Sequence, residues 1–466
     1  MTHPAVEVGT ARSGWRQELV ALSALAWPIA ATNLAQIAMS ATDVAMMGQL
    51  GPATMAAGAL GSNLYFIALV LGIGLLNAVA PMAARALGRD PNARDDVART
   101  ARQGLWAAAI LAVPCWMVLW WSEQILLSMG QTAALAAEAG IYVRTLQWAL
   151  LPFWCFLVLR SFISVLERPF WALIIGLLGV LANAAGNWCL MLGRCGLAPM
   201  GIAGSGWSTT LSSCLMLAVM MLVVRADRRF AGFRVLSRPW RPDWSRLGEL
   251  WRLGLPMAAM LLFEVTIFNA AVFLMGLIGA APLAAHTIAI TIASLTFMVP
   301  LGIGQAATVR VGLAHGRRDL ERIHRAGWSA FWLATAFMSM MSLIMVLMPN
   351  ALISAFLDID DPANSEVVTL AATYLLFAAL FQIADGAQAV GGGMLRGLHD
   401  ARVPMLYALA GYWGLGLPLG VILAFGLELG GTGIWIGLAT GIAVVAVLMI
   451  HRWHRRERLG LLHLPG

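Results

Sequence analysis

Residues 283–309, LAAHTIAITIASLTFMVPLGIGQAATV, contain no charged side chain. A helix of about 20 mostly apolar residues crosses the hydrocarbon core of a bilayer, so this stretch predicts a transmembrane helix. Other stretches along the 466-residue chain share its length and apolarity. Together they predict an all-α polytopic membrane protein whose twelve transmembrane helices cover residues 19–45, 53–80, 101–122, 134–159, 169–192, 201–224, 249–275, 283–309, 326–348, 367–393, 404–425 and 431–451.

The overall composition supports this class of protein. Hydrophobic residues make up 60% of the chain and charged residues 11%, against roughly 45–50% and about 25% in an average soluble protein. So few charged groups leave too little polar surface for a water-soluble chain. The five cysteines show no C-x-x-C spacing, and we expect them to be small apolar packing residues.

The basic residues indicate how the chain is oriented in the membrane. All 30 are arginine, and all but Arg144 and Arg194 fall before the first predicted helix, in alternate loops or after the last helix. Basic loops stay on the cytoplasmic side of a membrane, so both termini are predicted to be cytoplasmic. The net charge of +7 then reflects membrane orientation, and no nucleic-acid partner is expected.

The two halves of the chain resemble each other at a fixed offset of 228 residues. The matched pairs include Pro28 with Pro256, Gly74 with Gly302 and Gly88 with Gly316. Each half contains six predicted helices, an even number, so both halves share one orientation. We therefore predict two parallel six-helix lobes around a central cleft, over residues 1–225 and 249–466, joined by a cytoplasmic linker over residues 226–248. This architecture is typical of alternating-access transporters.

Three acidic residues are predicted to lie inside the membrane, where an ionisable group is costly and is a candidate functional residue. Asp43 lies in the outer part of the first helix, Glu264 in the middle of the seventh and Asp385 in the tenth. No arginine is expected at comparable depth, because Arg160 and Arg310 come at the cytoplasmic ends of their helices. An unpaired carboxylate in this environment either takes up a proton or coordinates a cation, as a cation-driven transporter requires.

Amide side chains accompany these acids. Asn183 and Asn187 are four residues apart and therefore share one face of the fifth helix. Their carbonyl oxygens are candidates to complete a cation site with Asp43, although amides that bridge helices are also common in membranes. Gln36 and Gln382 are further polar candidates, for contact with substrate.

Three motifs resemble those of the multidrug and toxic compound extrusion (MATE) family. They are ATDVAMMGQLG at residues 41–51, AAHTIAITIASLTFMVPLGIGQAATVRVG at residues 284–312, and GMLRGLHDARVP at residues 393–404. With twelve helices in two lobes, the resemblance covers essentially the whole chain. It is closest to the NorM-type branch, because Glu264 and Asp385 fall at the acidic positions that mark this branch.

The resemblance implies a secondary active multidrug efflux antiporter in a bacterial inner membrane. It would export lipophilic, often cationic drugs in exchange for sodium ions or protons, and it would work as a monomer without a cofactor. Asp43 would be the first-lobe acid beside Asn183 and Asn187, and Glu264 and Asp385 would form the second-lobe cation site, where a sodium ion would bind. Substrate contacts would include Gln36, Gln382 and Thr287. At Thr287, relatives often have glutamine, and Asn187 replaces the second first-lobe aspartate of a proton-coupled branch.

Other function classes stay open at this point. A flippase for lipid-linked saccharides is the main alternative, but its pyrophosphate headgroup needs arginines inside the cleft, and the sequence predicts none there. A membrane-embedded enzyme is not expected, since only His286 lies at a suitable position. A passive channel would differ by the absence of a turnover limit. The sequence leaves open whether sodium or protons drive transport, and which compounds are carried.

Overall fold

The computed structural model describes residues 14–237 and 242–462. Within these ranges all regular elements are helices, and twelve of them are long and apolar enough to cross a membrane. We number these α1 to α12: Trp15–Leu50, Pro52–Arg89, Arg94–Trp120, Ala133–Val165, Phe170–Met191, Ile202–Ala226, Trp244–Ile278, Ala280–Gly316, Leu320–Leu347, Pro362–Gly397, Arg402–Gly426 and Gly430–His454.

The twelve predicted stretches each correspond to one of these helices, which confirms the all-α, multi-pass fold. Most helices are longer than predicted, because each helix continues for one or more turns of polar residues beyond its apolar stretch. The helix α7, for example, begins at Trp244, inside the predicted linker, where the Asp243 side chain accepts a hydrogen bond from the backbone N–H of Arg246 at 3.2 Å. Side-chain capping of this kind satisfies one of the free N–H groups at a helix start. Residues 238–241 of the predicted linker and residues 1–13 lie outside the described ranges.

Close backbone contacts join the two halves, and they follow the 228-residue offset. A Cβ atom added to Gly74 of α2 would lie 2.3 Å from Cα of Ala258 on α7, and one added to Gly302 of α8 would lie 2.8 Å from the nitrogen of Ala30 on α1. Ala30 and Ala258 are themselves 228 residues apart. Small residues allow membrane helices to approach this closely, so the repeat in the sequence becomes a pair of matching contacts between the lobes.

A second set of contacts joins the lobes at the side that carries the start of α1 and the end of α12, which we call the terminal side. Gly88 at the end of α2 packs on Gly316 at the end of α8. A Cβ atom added to Gly88 would lie 3.1 Å from Cα of Gly316. His399, after α10, lies 3.2 Å from the guanidinium of Arg85 on α2. The lobes therefore meet near this side of the membrane.

Large apolar side chains cover the outer surface of the helices. Exposed fractions reach 69% at Leu181 and Phe273 and 66% at Leu380 and Val447. An apolar surface of this extent matches the hydrocarbon region of a bilayer.

The expectation that every cysteine is a packing residue is wrong for one pair. Cys189 and Cys195 form a disulfide, which joins the end of α5 to the loop before α6. The other three cysteines are free, with Cys115 buried. The spacing of the pair carried no recognised motif, and only the turn after α5 brings the two sulfur atoms together.

Candidate functional site

A buried carboxylate of the first lobe lies where α1, α5 and α6 converge. Asp43 is 7% exposed, and its Oδ1 accepts hydrogen bonds from the side-chain amides of Asn183 at 3.0 Å and Asn187 at 2.6 Å. Its Oδ2 accepts a hydrogen bond from the hydroxyl of Thr209 at 3.0 Å. The structure thus brings together Asp43, Asn183 and Asn187, as the sequence predicts.

The backbone of α5 helps to place these amides. Asn183 and Asn187 lie on one face because they are four residues apart, and the helix widens into a π-helical turn over Asn187–Met191. Such π-helical turns are frequent at functional sites. The amide nitrogens face Asp43, whereas the sequence analysis proposed their carbonyl oxygens. The Asn187 Oδ1 atom is buried without a hydrogen-bond partner, so it is an oxygen that a cation could use.

Sequence analysis missed the contribution of α6. Ser205 and Thr209, four residues apart on this helix, both present hydroxyl groups to Asp43, at 3.5 and 3.0 Å. The same four-residue spacing that drew attention to Asn183 and Asn187 marks this pair. Serine and threonine are common in membrane helices, however, so this signal alone does not separate a site from packing.

The first-lobe cluster contains an acidic side chain without a basic partner. The described residues include no arginine paired with Asp43, and its partners are neutral amides and hydroxyl groups. These donors favour the ionised carboxylate, whereas its burial in an apolar surrounding favours protonation or cation binding. The site can therefore exchange a proton or a cation without breaking an ion pair.

The second lobe holds a pair of carboxylates. Glu264 of α7 and Asp385 of α10 interact electrostatically, and Oε2 of Glu264 accepts a hydrogen bond from the amide of Gln388 at 3.4 Å. Asp385 is 5% exposed, and its Oδ1 atom and the Oε1 atom of Gln388 are buried without hydrogen-bond partners. Gln388 lies one helical turn from Asp385, and the sequence analysis did not single it out.

These oxygens suit a hard cation. Sodium, like calcium and magnesium, is bound through oxygen ligands, and carboxylate and amide oxygens are the usual protein donors. In the part of the chain that the structure describes, no group of three His, Cys, Asp or Glu side chains comes together as a metal site. A cation at Glu264 and Asp385 would therefore use Gln388 as a further ligand.

A cavity of about 140 Å³ lies between the lobes, and it corrects the expectation that no arginine lies inside the cleft. Its lining includes Glu264 together with Arg160 of α4 and Arg396 of α10. Arg160 is only 6% exposed, and its terminal nitrogens donate hydrogen bonds to Oδ1 of Asn33 at 3.2 Å and to Oε1 of Gln305 at 3.4 Å. Arg160 lies five residues before the end of α4 and Arg396 one residue before the end of α10, and both line the cavity.

The three predicted substrate contacts lie in different surroundings. Gln36 on α1 is partly buried, and its amide nitrogen has no hydrogen-bond partner. Thr287 on α8 is exposed, and its hydroxyl donates to the Leu283 carbonyl at 2.8 Å. Gln382 is fully buried within the second lobe, where its amide contacts the sulfur of Met345 at 3.1 Å. In this conformation Gln382 is therefore not accessible to a substrate in the cleft.

Comparison with known sequences finds a family and close relatives. The MatE family model matches residues 28–189 and 256–422, one segment in each half of the chain. A probable multidrug resistance protein NorM of Mesorhizobium japonicum is 60% identical over 445 residues, which cover 96% of this chain and 95% of the relative. A protein of the same description from Brucella suis is 51% identical over 441 residues, covering 95% and 94% of the two chains.

Solved structures share the fold. The eukaryotic MATE transporter AtDTX14 superposes with a TM-score of 0.85 at 22% sequence identity and covers 96% of this chain and 100% of its own. An outward-facing structure of a multidrug resistance MATE family transporter gives a TM-score of 0.84 at 20% identity, with 97% of both chains covered. At these identities the likeness concerns the arrangement of the twelve helices.

Proposed function

Since this chain belongs to the MatE family, we propose that it is a secondary active antiporter that exports lipophilic and cationic compounds in exchange for sodium ions or protons. Its membership makes it a multi-pass membrane transporter of the multidrug efflux class and not an enzyme. The observation that carries the antiport proposal is the presence of one acidic site in each lobe, at the buried Asp43 and at the partly buried Glu264 with the buried Asp385, with neutral hydrogen-bond donors as partners.

The proposed coupling of cation binding to transport depends on the free-energy cost of placing carboxylates inside the membrane. An external cation or proton that binds to Glu264 and Asp385 removes the repulsion between the two carboxylates and the cost of burying them. The cation shifts the equilibrium between lobe arrangements only to the extent that it binds one arrangement more tightly. Release of the cation on the other side then resets the lobes for the next substrate.

We also propose how the chain is placed and organised. The terminal side would face the cytoplasm of a bacterium, with the inner membrane around the lobes, since the arginine-rich loops gather there. The lobes would comprise residues 1–225 and 249–466 and move about the linker over residues 226–248. The cavity forms between the lobes of a single chain, so a monomer would be sufficient for transport, and no cofactor would be needed.

The flippase alternative is weighed differently once the cavity is known. The sequence analysis argued against a flippase because it predicted no arginine inside the cleft. Arg160 and Arg396 line the cavity, so that argument no longer holds. Relatives at 60% and 51% identity, however, are described as multidrug resistance proteins, and this favours efflux of drugs over transfer of lipid-linked saccharides.

Efflux measurements on reconstituted vesicles test the proposal. We expect Glu264→Gln and Asp385→Asn to abolish transport of a fluorescent lipophilic cation driven by a sodium or pH gradient, each gradient being imposed separately. Glu366→Gln is the matched control, because Glu366 is an exposed acid near the start of α10. Transport that continued at the original rate in both acidic-site variants, or that responded to neither gradient, would refute cation coupling at this site.

A further inference from the structure

We propose that the disulfide between Cys189 and Cys195 is a positioning element of the first-lobe acidic site, because it holds the helical turn that carries Asn187 against Asp43. This inference rests on the proposed antiport function and adds a pair of residues on which the ion response of that site depends. The two cysteines are not ligands in this proposal, since they act through Asn187.

The bridge is attached to the same turn of α5 as the site amide. The helix ends in a π-helical turn over Asn187–Met191, so Cys189 comes two residues after Asn187. The Asn187 amide donates to Oδ1 of Asp43 at 2.6 Å, the shortest of the four described hydrogen bonds to this carboxylate. Because π-helical turns are rare and geometrically less favoured than α-helical ones, contacts from outside the helix are needed to keep this turn in place.

The loop after α5 provides such contacts at two consecutive residues. Arg194 places its guanidinium 4.4 Å from the centre of the Trp188 ring, and its backbone N–H donates to the Trp188 carbonyl at 3.4 Å. Cys195, the next residue of the loop, is bonded to Cys189, the next residue of the turn. The loop therefore restrains the two residues that directly follow Asn187.

The same turn supports the start of α6. The backbone N–H of Gly201 donates to the Met191 carbonyl at 3.2 Å, and a Cβ atom added to Gly204 would lie 2.6 Å from the nitrogen of Met191. One turn further along α6, Thr209 donates its hydroxyl to Asp43 at 3.0 Å. The bridge thus lies at the junction of the two helices that supply the hydrogen-bond donors of the site.

The bond connects an exposed loop to a buried site. Cys195 is exposed, whereas Asn187 is fully buried. Without the disulfide, the loop is held to the turn by its backbone hydrogen bonds and by the contact of Arg194 with Trp188, and a cation–π contact at an exposed position is weak. A return of the turn to regular α-helical hydrogen bonding redirects its side chains, because a π-helical turn contains an additional residue. The amide of Asn187 then loses its place beside Asp43.

Hydrogen–deuterium exchange on the purified full-length protein in detergent tests the placement without any need for transport. A water-soluble trialkylphosphine, with one molecule of water, cleaves the sulfur–sulfur bond to two thiols and is itself oxidised to the phosphine oxide. The other three cysteines are free, so the reagent acts on this bond. We expect the exchange of backbone amides at residues 187–192 to become at least about tenfold faster after reduction. Faster exchange confined to residues 193–200, or no change at all, would overturn the proposal.

Gradient-driven efflux from vesicles gives a second measurement, the concentration of the driving ion at half-maximal rate. Reduction of the original protein and the substitution Asn187→Ala should each change this concentration at least about fivefold and in the same direction. Reduction of Asn187→Ala should add no further change, because both treatments remove the same amide contact. Two changes that multiply, or an ion response that reduction leaves unaltered, would contradict a role through Asn187.

Matched variants separate the bridge from other effects of the reagent. The double variant Cys189→Ser with Cys195→Ser should show the altered ion response without treatment and should not respond to the phosphine. Cys214→Ser removes an exposed free cysteine of α6 and should behave as the original protein does, before and after reduction. If the double variant does not fold, as judged by size-exclusion chromatography, reduction of the folded original protein carries the test. An absence of gradient-driven efflux in the untreated original protein would count against antiport alone, since the exchange measurement does not depend on transport.

Discussion

Arg310 of α8 forms a two-point ion pair with Glu18 of α1, in which Nε lies 2.8 Å from Oε1 and Nη2 lies 2.5 Å from Oε2. Glu18 is only 2% exposed, and Arg310 also contacts the exposed Glu167. Because α1 and α8 belong to different lobes, this pair holds the lobes together at the terminal side.

Removal of this ion pair should weaken the terminal-side contact. Loss of one partner of a buried pair costs on the order of 3 kcal/mol, so Glu18→Gln should shift the population toward lobes that are open at the terminal side and closed at the opposite side. Spin labels at Gln49 and Ala280, both exposed at the opposite-side ends of α1 and α8, should move closer together in electron–electron distance measurements.

The control for this experiment is Glu321→Gln, which removes an ion pair with Arg325 four residues away within α9. That pair does not cross between lobes, so the distance between the labels should stay the same. An unchanged distance in Glu18→Gln as well would show that the ion pair does not hold the lobes.

The first-lobe carboxylate should be required for coupled efflux. Asp43→Asn keeps the shape of the side chain but removes the charge that Asn183, Asn187 and Thr209 surround. We expect at least about a tenfold fall in gradient-driven efflux, with the protein still folded. Thr42→Val is the control, because the Thr42 hydroxyl is exposed and bonds only to the Ala38 carbonyl of its own helix. Normal efflux by Asp43→Asn would remove Asp43 from the coupling mechanism.

The contact at His399 should depend on pH. Arginine donates and cannot accept hydrogen bonds, so Nδ1 of His399 accepts from Arg85 at 3.2 Å, and the protonated Nε2 donates to the Pro81 carbonyl at 3.1 Å. The ring is thus neutral. Burial, aided by the positive charge of Arg85, lowers the pKa of His399 to about 4 from its usual 6.5.

The direction of the pH effect follows from this lowered pKa. The unfolded chain takes up a proton near pH 6.5 and the folded protein only near pH 4, so stability is full above pH 6.5 and falls as the pH drops toward 4. Through His399 alone, the free energy of unfolding should fall by about 2 kcal/mol between pH 7 and pH 5. The midpoint of thermal unfolding should therefore fall less on acidification in His399→Gln than in the original protein. His454→Gln, at an exposed position, should retain the full acid dependence, and an identical dependence in His399→Gln would contradict this assignment.

The disulfide provides a test of orientation. Disulfides persist in oxidising compartments and are rare in the cytosol, so the pair Cys189 and Cys195 should face outward if the terminal side is cytoplasmic. In intact cells, a membrane-impermeant maleimide should label these two cysteines only after treatment with a reductant, as read by mass spectrometry. Labelling without reduction would mean that the bridge is absent, and labelling only after cell lysis would reverse the proposed orientation.

The sequence by itself determined the helices, their number and the twofold repeat. Hydropathy is a local property, and a bilayer demands about 20 apolar residues for each crossing, so neighbouring residues suffice to find each helix. The four-residue spacing of Asn183 and Asn187 likewise needs only the period of one helix. The acids Asp43, Glu264 and Asp385 stood out because each is the rare charge within its own apolar stretch.

Only the tertiary structure decided which of these residues act together and what surrounds them. Thr209 contacts Asp43 although the two are 166 residues apart in the chain, and Gln388 contacts Glu264 across 124 residues. Arg160, which the sequence places at the cytoplasmic end of its helix, lines the cavity between the lobes. Gln382, a polar residue in the same helix as Asp385, proved to be sealed inside its lobe. These outcomes depend on the rotation and packing of whole helices against one another, which the local pattern of apolar residues leaves undetermined.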